Sequence, residues 1–209
     1  HNNCALASDT GINMLDPVVT PHESIQFLLV LACIMKAVDR HSDLLRQSAA
    51  VPGNDFRLGA QEAPPAIISI FVGEQLEDVI DQLISTGSAT HSTTGGTLKT
   101  GVTTLPDFDK DATDRKRTSP FAFTGNKFEF RMLGSALNIA CPNIMLNTAV
   151  AEEFHQFADE LEAASDFDAA LGTLIRREHK AHRRIIFTGN GYGADWPVGA
   201  ETHGPHNPQ

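Results

Sequence analysis

The chain concentrates residues capable of phosphate and metal chemistry between Arg115 and Arg131, which reads R-K-R-T-S-P-F-A-F-T-G-N-K-F-E-F-R. At its end, Lys127, Glu129 and Arg131 alternate with apolar residues. An extended strand would place these three charges on one face. A carboxylate held among several cations suits a divalent metal ion beside an anionic substrate. The same alternation is also typical of a half-buried strand whose charged face is simply solvated.

The residues around these charges predict how they are held in place. Phe128, Phe130 and Met132 occupy the alternate positions, so the opposite face of the strand is predicted to pack on a core. Three further cations, at 115–117, precede a stretch interrupted by proline and glycine, 120–125. This stretch is predicted to be a connection that returns those cations toward the charged face.

Length and composition predict one sizeable soluble domain. The chain has 209 residues, of which 41% are hydrophobic and 20% charged. The formal net charge of -10 argues against a general nucleic-acid binder or a binder of anionic membranes, because such binding needs clustered Lys and Arg. The longest apolar run, 27–35, is too short to cross a bilayer.

The three cysteines favour a reducing compartment. Cys4, Cys33 and Cys141 are odd in number and lack the spacing of metal ligands, and Cys33 lies in an apolar run typical of a buried free thiol. A cytoplasmic location is the simplest expectation.

The periodicity of the chain predicts an α+β fold in which helices pack on an antiparallel sheet. A capping box at Thr20 to Glu23 predicts one long buried helix over 21–48. A strand is expected at 66–72 and a helix at 73–85. Residues 54–65 are expected to form an ordered loop, and about 86–114 a mobile insertion.

Two further helices are predicted near the end of the chain. The first, 142–164, carries an apolar stripe with acidic residues on the opposite face. The second begins at an Asp166 cap and ends near Arg184. His179 and His182 could chelate a metal by their spacing, but no other ligand lies close in sequence, so structural or solvent-exposed histidines are favoured.

Three separated segments together resemble one enzyme family. They are H-N-N at the start, N-D-F-R-L-G-A-Q-E-A-P-P at 54–65, and F-T-G-N-K-F-E-F-R-M-L-G-S at 123–135. Their order and content resemble the catalytic domain of glutamine synthetase of the long type III form, and the resemblance extends over essentially the whole chain. It implies ATP-dependent joining of L-glutamate and ammonium through γ-glutamyl phosphate, with Mg²⁺ or Mn²⁺ at the centre. It also implies a ring-stacked dodecameric homo-oligomer.

The resemblance implies roles for individual residues. His1 and Glu129 match ligands of the metal nearer the nucleotide phosphates. Arg57 matches the residue that holds the glutamate carboxylate, and Arg131 matches one that contacts substrate or the transferred phosphate. Glu62 matches the flap residue that closes over glutamate and helps deprotonate ammonium.

Two cations are assigned to the nucleotide by the same resemblance. Arg117 matches an arginine that neutralises phosphate, and Lys127 lies where the family places a cation near the nucleotide. These assignments agree with the chemistry, because phosphoryl transfer is catalysed largely by positioning and by cations around the phosphate oxygens. Attack by ammonia further needs a carboxylate to accept a proton and a lid that excludes water.

Departures from the family pattern leave alternatives open. Cys4 and Ala5 replace the Trp and Ser that normally follow H-N-N, and Lys116 stands where Asn is usual. A non-catalytic nucleotide-binding or regulatory paralogue, or a γ-glutamyl-amine synthetase, is therefore carried as an alternative. The resemblance further implies that 1–209 is a partial C-terminal catalytic domain. The N-terminal β-grasp domain, further metal-ligating glutamates and the C-terminal end would then lie outside it, so the isolated chain is expected to have little or no ligase activity.

Overall fold

The described part of the chain is an α+β fold of short strands and six α-helices, which confirms the predicted fold class. The computed structural model describes residues 2–17, 20–60, 63–90, 97–98, 108–109 and 119–188. The strands are β1 (Asn2–Cys4), β2 (Ile70–Phe71), β3 (Thr97–Leu98), β4 (Phe108–Asp109), β5 (Phe121–Phe123) and β6 (Phe128–Phe130). The helices are α1 (Ile25–Arg40), α2 (Ser42–Gln47), α3 (Pro52–Asp55), α4 (Glu74–Thr86), α5 (Ala140–Glu162) and α6 (Phe167–Ala181), and 3-10 turns lie at Pro21–Glu23 and Arg183–Ile185.

Four strands form one sheet in the order β1-β6-β5-β2. β1 runs antiparallel to β6, and β6 antiparallel to β5, which agrees with the predicted antiparallel sheet, although these particular pairs were not predicted. β2 pairs parallel with β5, which the prediction did not include. A parallel pair requires a crossover connection, and α4 lies in the segment that joins these two strands. The sheet is therefore mixed, with one parallel strand.

The hairpin of β5 and β6 replaces part of the predicted connection at 120–125. Thr124 N donates to Lys127 O at 2.8 Å, and Gly125 has a φ of 96°, a left-handed conformation that glycine adopts without strain. The prediction missed β5 because Pro120 and Gly125 flank only three strand residues. The proline lies just before the strand and the glycine lies in the turn.

Helix α1 lies at the centre of the fold, between the sheet and helices α5 and α6. The sheet presents a face of phenylalanines to it, and the rings of Phe27 and Phe123 are 5.7 Å apart. Phe121 and Phe128 stack at 4.6 Å. The side chains of α1 are buried almost all round, which confirms the predicted central helix.

The predicted single helix over 21–48 is divided in the structure. Thr20 Oγ1 contacts Glu23 Oε2 at 2.6 Å without capping a backbone N–H, so the expected capping box does not form. Ser24 instead caps α1, accepting from Phe27 N at 3.4 Å. The chain then departs from helical geometry at His41, where φ is -115°, before α2 begins.

Helices α4, α5 and α6 confirm the predicted periodicity. Asp166 caps α6 as expected, with its carboxylate accepting from Ala169 N at 3.0 Å. The expectation that the acids of α5 all face solvent is wrong for Glu153, which is fully buried against α1. His179 is also fully buried, which confirms its structural role.

The predicted insertion and the predicted absence of a membrane-spanning segment can be compared with the structure only over the described residues. Within the predicted insertion at 86–114, β3 and β4 form an antiparallel pair, and most of the remainder lies outside the described residues. None of the described helices has both the length and the apolar character that a membrane crossing requires.

Candidate active site

The sheet has a polar face opposite its phenylalanine face, and Glu129 lies on it. Phe128 and Phe130 are buried, with 1% and 2% exposure, while the intervening Glu129 side chain is 16% exposed. The strand register places Asn3 of β1 and Ala122 of β5 beside Glu129. The predicted alternation of the strand is therefore confirmed, and Glu129 has a small residue on one side and an amide on the other.

Arg131 lies two residues beyond Glu129 and contacts it directly. Its Nη2 and Nε donate to Glu129 Oε2 at 3.1 and 3.2 Å. The Arg131 side chain is only 4% exposed, and its backbone N–H donates to Pro120 O at 2.7 Å. A guanidinium buried on a carboxylate fixes the orientation of both groups.

Arg57 is held at the same end of β6. Its Nη2 donates to Met132 O at 2.8 Å, and its Nε donates to Asn54 Oδ1 at 2.9 Å. Asn54 is itself buried and donates through Nδ2 to Met132 O at 2.8 Å and to Ala49 O at 2.7 Å. These bonds attach the segment that carries Arg57 to the residue following Arg131.

Lys127 lies at the opposite end of the same strand. It lies four positions before Arg131, which corresponds to about 13 Å along an extended chain. Its carbonyl closes the β5–β6 turn by accepting from Thr124 N at 2.8 Å and from Thr124 Oγ1 at 3.2 Å. Lys127 therefore does not join the cluster around Arg131, although the two lie along one strand.

Three predicted site residues, His1, Glu62 and Arg117, lie outside the described residues. The described chain beside two of them is firmly held. Asn2 pairs with Phe130 in the strand register. Ser119 is fully buried and donates to Phe187 O at 3.2 Å.

Two residues that support the site were not identified from the sequence. Asn54 fell within a stretch interpreted only as a loop, and its buried bonds give no local sequence signal. Gly134 lies so close to it that a Cβ there would be 3.0 Å from Asn54 Oδ1. Such contacts join segments far apart in the chain, so periodicity cannot detect them.

Cys4, one of the departures from the family pattern, lies on the other side of the sheet from Glu129. It pairs with Phe128 and, with Ala5, lines a cleft on the phenylalanine face. Burial raises the pKa of the Cys4 thiol, which keeps it protonated and weakly reactive. All three cysteines are free thiols.

The donor groups on the polar face fit part of a divalent-metal site. Glu129 offers carboxylate oxygen at a partly exposed position, which suits Mg²⁺ or Mn²⁺. Among the residues that the structure describes, no three His, Cys, Asp or Glu side chains come together as a ligand set. Glu129 is therefore a candidate for one ligand of such a site.

The amino-acid sequence is similar to glutamine synthetases. Residues 170–209 match the family described as the glutamine synthetase C-terminal domain. The chain is 45% identical over 210 residues to the type-3 glutamine synthetase of Dictyostelium discoideum and 41% identical over 213 residues to a glutamine synthetase of Bacteroides fragilis. A glutamine synthetase of Butyrivibrio fibrisolvens is 40% identical over 210 residues.

Each alignment includes 99% of this chain but only 28% to 29% of the relative. The chain therefore spans less than a third of the length of these relatives. Because the alignments run through the polar-face strand, the Arg57 segment and helices α1 to α6, the similarity involves the whole described architecture. Over nearly its whole length the chain is therefore similar to part of glutamine synthetases, and the relative at 45% identity is a type-3 enzyme.

Proposed function

We propose that this chain forms part of an ATP-dependent glutamate–ammonia ligase that produces glutamine. The observation that carries the proposal is the convergence of three distant segments at one end of β6. Asn2 pairs with Phe130, Glu129 and Arg131 contact each other, and Arg57 is bonded to the Met132 carbonyl. These segments supply the carboxylate and the cations that the reaction requires.

The first half of the reaction would transfer phosphate to glutamate. The γ-carboxylate of glutamate attacks the terminal phosphorus of ATP, the bond to the bridging oxygen breaks, and ADP leaves with γ-glutamyl phosphate formed. Arg57 holds the substrate carboxylate, while Arg131 and Arg117 balance charge on the transferred phosphoryl group. Lys127, about 13 Å along the strand, supplies a cation for the nucleotide.

The second half would replace phosphate by nitrogen. Glu62 accepts a proton from ammonium, and the resulting ammonia attacks the acyl carbon. Phosphate then leaves with the electron pair of the acyl C–O bond, and the nitrogen gives up one further proton, which the departing phosphate accepts, to form the neutral amide. Water must be excluded during this step because it would hydrolyse the acyl phosphate.

A divalent ion bound by Glu129 and His1 would neutralise charge on the nucleotide phosphates. In this chain, Arg131 would keep the Glu129 carboxylate oriented toward that ion. We further propose a cytoplasmic homo-oligomer, with the ring-stacked dodecamer of the family as the expected form.

The decisive experiment uses the full-length protein with ATP, MgCl₂, glutamate and ammonium, and measures both ADP and glutamine. Stoichiometric release of the two products supports the proposal. Absence of glutamine from a folded protein that still binds ATP would overturn it. The isolated 209-residue chain, tested alongside, is expected to form little or no glutamine.

The same assay separates the alternatives. ADP release that depends on a larger primary amine, and not on ammonium, would identify a γ-glutamyl-amine synthetase. Nucleotide binding without any substrate-dependent ADP release would identify a regulatory paralogue. The position of Cys4 away from Glu129 favours the ligase, because that departure does not alter the polar face.

A further inference from the structure

A cleft of about 380 Å³ opens on the phenylalanine side of the sheet, between helix α5 and the chain that follows β1. Buried members of the main core form its floor, and half-buried side chains form its walls. The floor comprises Leu15, Ile34, Phe121, Phe128 and Leu146, and the walls comprise Cys4, Leu6, Val150 and Phe154. The cleft is thus an extension of the core that reaches the surface.

Elsewhere along the sheet, helices cover the core. Toward β2, helix α4 covers the core with an apolar stripe, made of Leu76, Val79, Ile80 and Leu83. Helix α1 covers the centre. On the β1 side, helix α5 flanks the cleft, and the apolar space between α5 and the chain that follows β1 is open. A helix about 10 Å across could lay its apolar face over this space.

Strand β1 adds a second reason for packing at this place. It is the outer strand of the described sheet, so one of its edges has no strand partner among residues that the structure describes. Native proteins cover exposed strand edges and large apolar surfaces. The relatives are more than three times as long as this chain, so a covering segment has a ready source.

We propose that a helix from the part of the polypeptide outside these 209 residues packs into the cleft with its apolar face. This proposal does not depend on the ligase activity. The apolar lining of the cleft indicates the chemistry of this helix. It carries large apolar side chains at helical spacing on one face and polar residues on the outer face.

The shape and chemistry of the lining favour a helix over a small ligand. Along α5 the cleft is lined at 147, 150, 151 and 154, the spacing of one helical stripe that can receive the ridges of another helix. Ala5 and Ala151 at the rim are small and exposed, so a backbone can approach closely. Ligand pockets usually include several convergent polar groups, whereas this lining offers the Asn147 amide and the protonated Cys4 thiol.

Photo-crosslinking in the full-length protein tests the proposal directly. A diazirine-bearing amino acid replaces Asn147, at the rim, and in a matched control it replaces Thr148, which is exposed on α5 but does not line the cleft. The expected product from position 147 is an intramolecular crosslink to a peptide outside the 209 residues, at least tenfold more abundant than from position 148. Crosslinks only to another subunit, distinguished by mixing isotopically labelled and unlabelled protein, would overturn the proposal. So would the absence of any enrichment over the control.

A pair of substitutions gives an independent measurement. Ala151→Glu places a charge at the rim of the cleft, and Thr148→Glu places the same charge on the neighbouring surface. The midpoint of thermal unfolding of the full-length protein is expected to fall by several degrees for Ala151→Glu and to change by about a degree or less for Thr148→Glu. Equal midpoints for the two variants would contradict a covered cleft.

Discussion

Arg131 reaches back along its own strand to Glu129 and places Nη2 and Nε 3.1 and 3.2 Å from the same carboxylate oxygen. The arginine is nearly inaccessible, whereas the glutamate is partly exposed. This arrangement makes the orientation of the proposed metal ligand depend on a neighbour that the resemblance assigns to substrate. The two proposed roles of Arg131 can be separated experimentally.

Arg131→Lys in the full-length protein should weaken both metal binding and catalysis. Lysine retains the charge but cannot present two donors in a fixed plane. Mn²⁺ affinity is expected to fall about tenfold and kcat about 100-fold, measured by calorimetry and by glutamine formation. Arg177→Lys, which alters ion pairs with Glu160 and Glu178 on helices outside the sheet, serves as the control and should change neither. Unchanged Mn²⁺ affinity in Arg131→Lys would show that Arg131 does not orient the metal ligand.

Gly134→Ala should loosen Arg57 without touching it. The added Cβ would lie 3.0 Å from Asn54 Oδ1, the atom that accepts from Arg57 Nε. Either Asn54 or the chain at Gly134 must shift, at a cost of about 1–3 kcal/mol. The KM for glutamate should rise several-fold with a smaller change in kcat, because substrate positioning is affected first.

The matched control is Gly172→Ala. Gly172 lies in α6, and a Cβ there meets no atom within 4 Å. Alanine at an exposed helical position should stabilise the protein by about 1 kcal/mol and leave the KM unchanged. A KM change of equal size in both variants would refute the role assigned to Gly134.

The sequence predicted those features that depend on periodicity or on a local cap. The alternation around Glu129 correctly separated the polar face from the core, and Asp166 correctly began α6. Both signals lie within a few residues of the feature they predict. The parallel pairing of β2 with β5 joins segments about fifty residues apart and gives no such signal.

The supporting residues of the site were missed for the same reason. Asn54 is polar and lies in a Pro-Gly-Asn-Asp stretch, so its composition indicated a loop. Its burial results from bonds to the carbonyls of Ala49 and Met132, the second of which is far away in sequence. Glu153 was likewise expected on a solvated face. Its charged partners, Lys36 and Arg40, lie on another helix, so the local pattern of α5 gives no sign of them.

Glu153→Ala should be strongly destabilising. Glu153 on α5 is fully buried and contacts Lys36 Nζ and Arg40 Nη1, each at 2.8 Å. Removing the carboxylate leaves the largely buried Lys36 ammonium without this partner. Breaking a buried ion pair in this way lowers the free energy of unfolding by about 3–5 kcal/mol. Urea denaturation should show this loss. Glu152→Ala, on the exposed side of the same helix, should change stability by about 0.5 kcal/mol or less, and similar losses in the two variants would contradict the buried network.

His179 should make stability depend on pH between about 4 and 6.5. Its ring is fully buried, with Nε2 3.1 Å from Leu28 O, and burial lowers its pKa from 6.5 to about 4. Between these values the unfolded chain binds a proton that the folded chain does not, so the free energy of unfolding falls as pH decreases. Above pH 6.5 the free energy of unfolding is not reduced by this effect. By pH 4 the protonation of His179 in the unfolded chain lowers it by about 3 kcal/mol.

The His179→Gln variant isolates this contribution. Glutamine can still donate to Leu28 O but does not titrate, so the variant should lose less stability than the wild type between pH 6.5 and 4. The comparison uses the change with pH and not the absolute stability, because glutamine also alters packing. Urea denaturation at half-unit pH steps measures it. Parallel pH profiles for the two proteins would mean that the buried imidazole binds its proton equally in the folded and unfolded states.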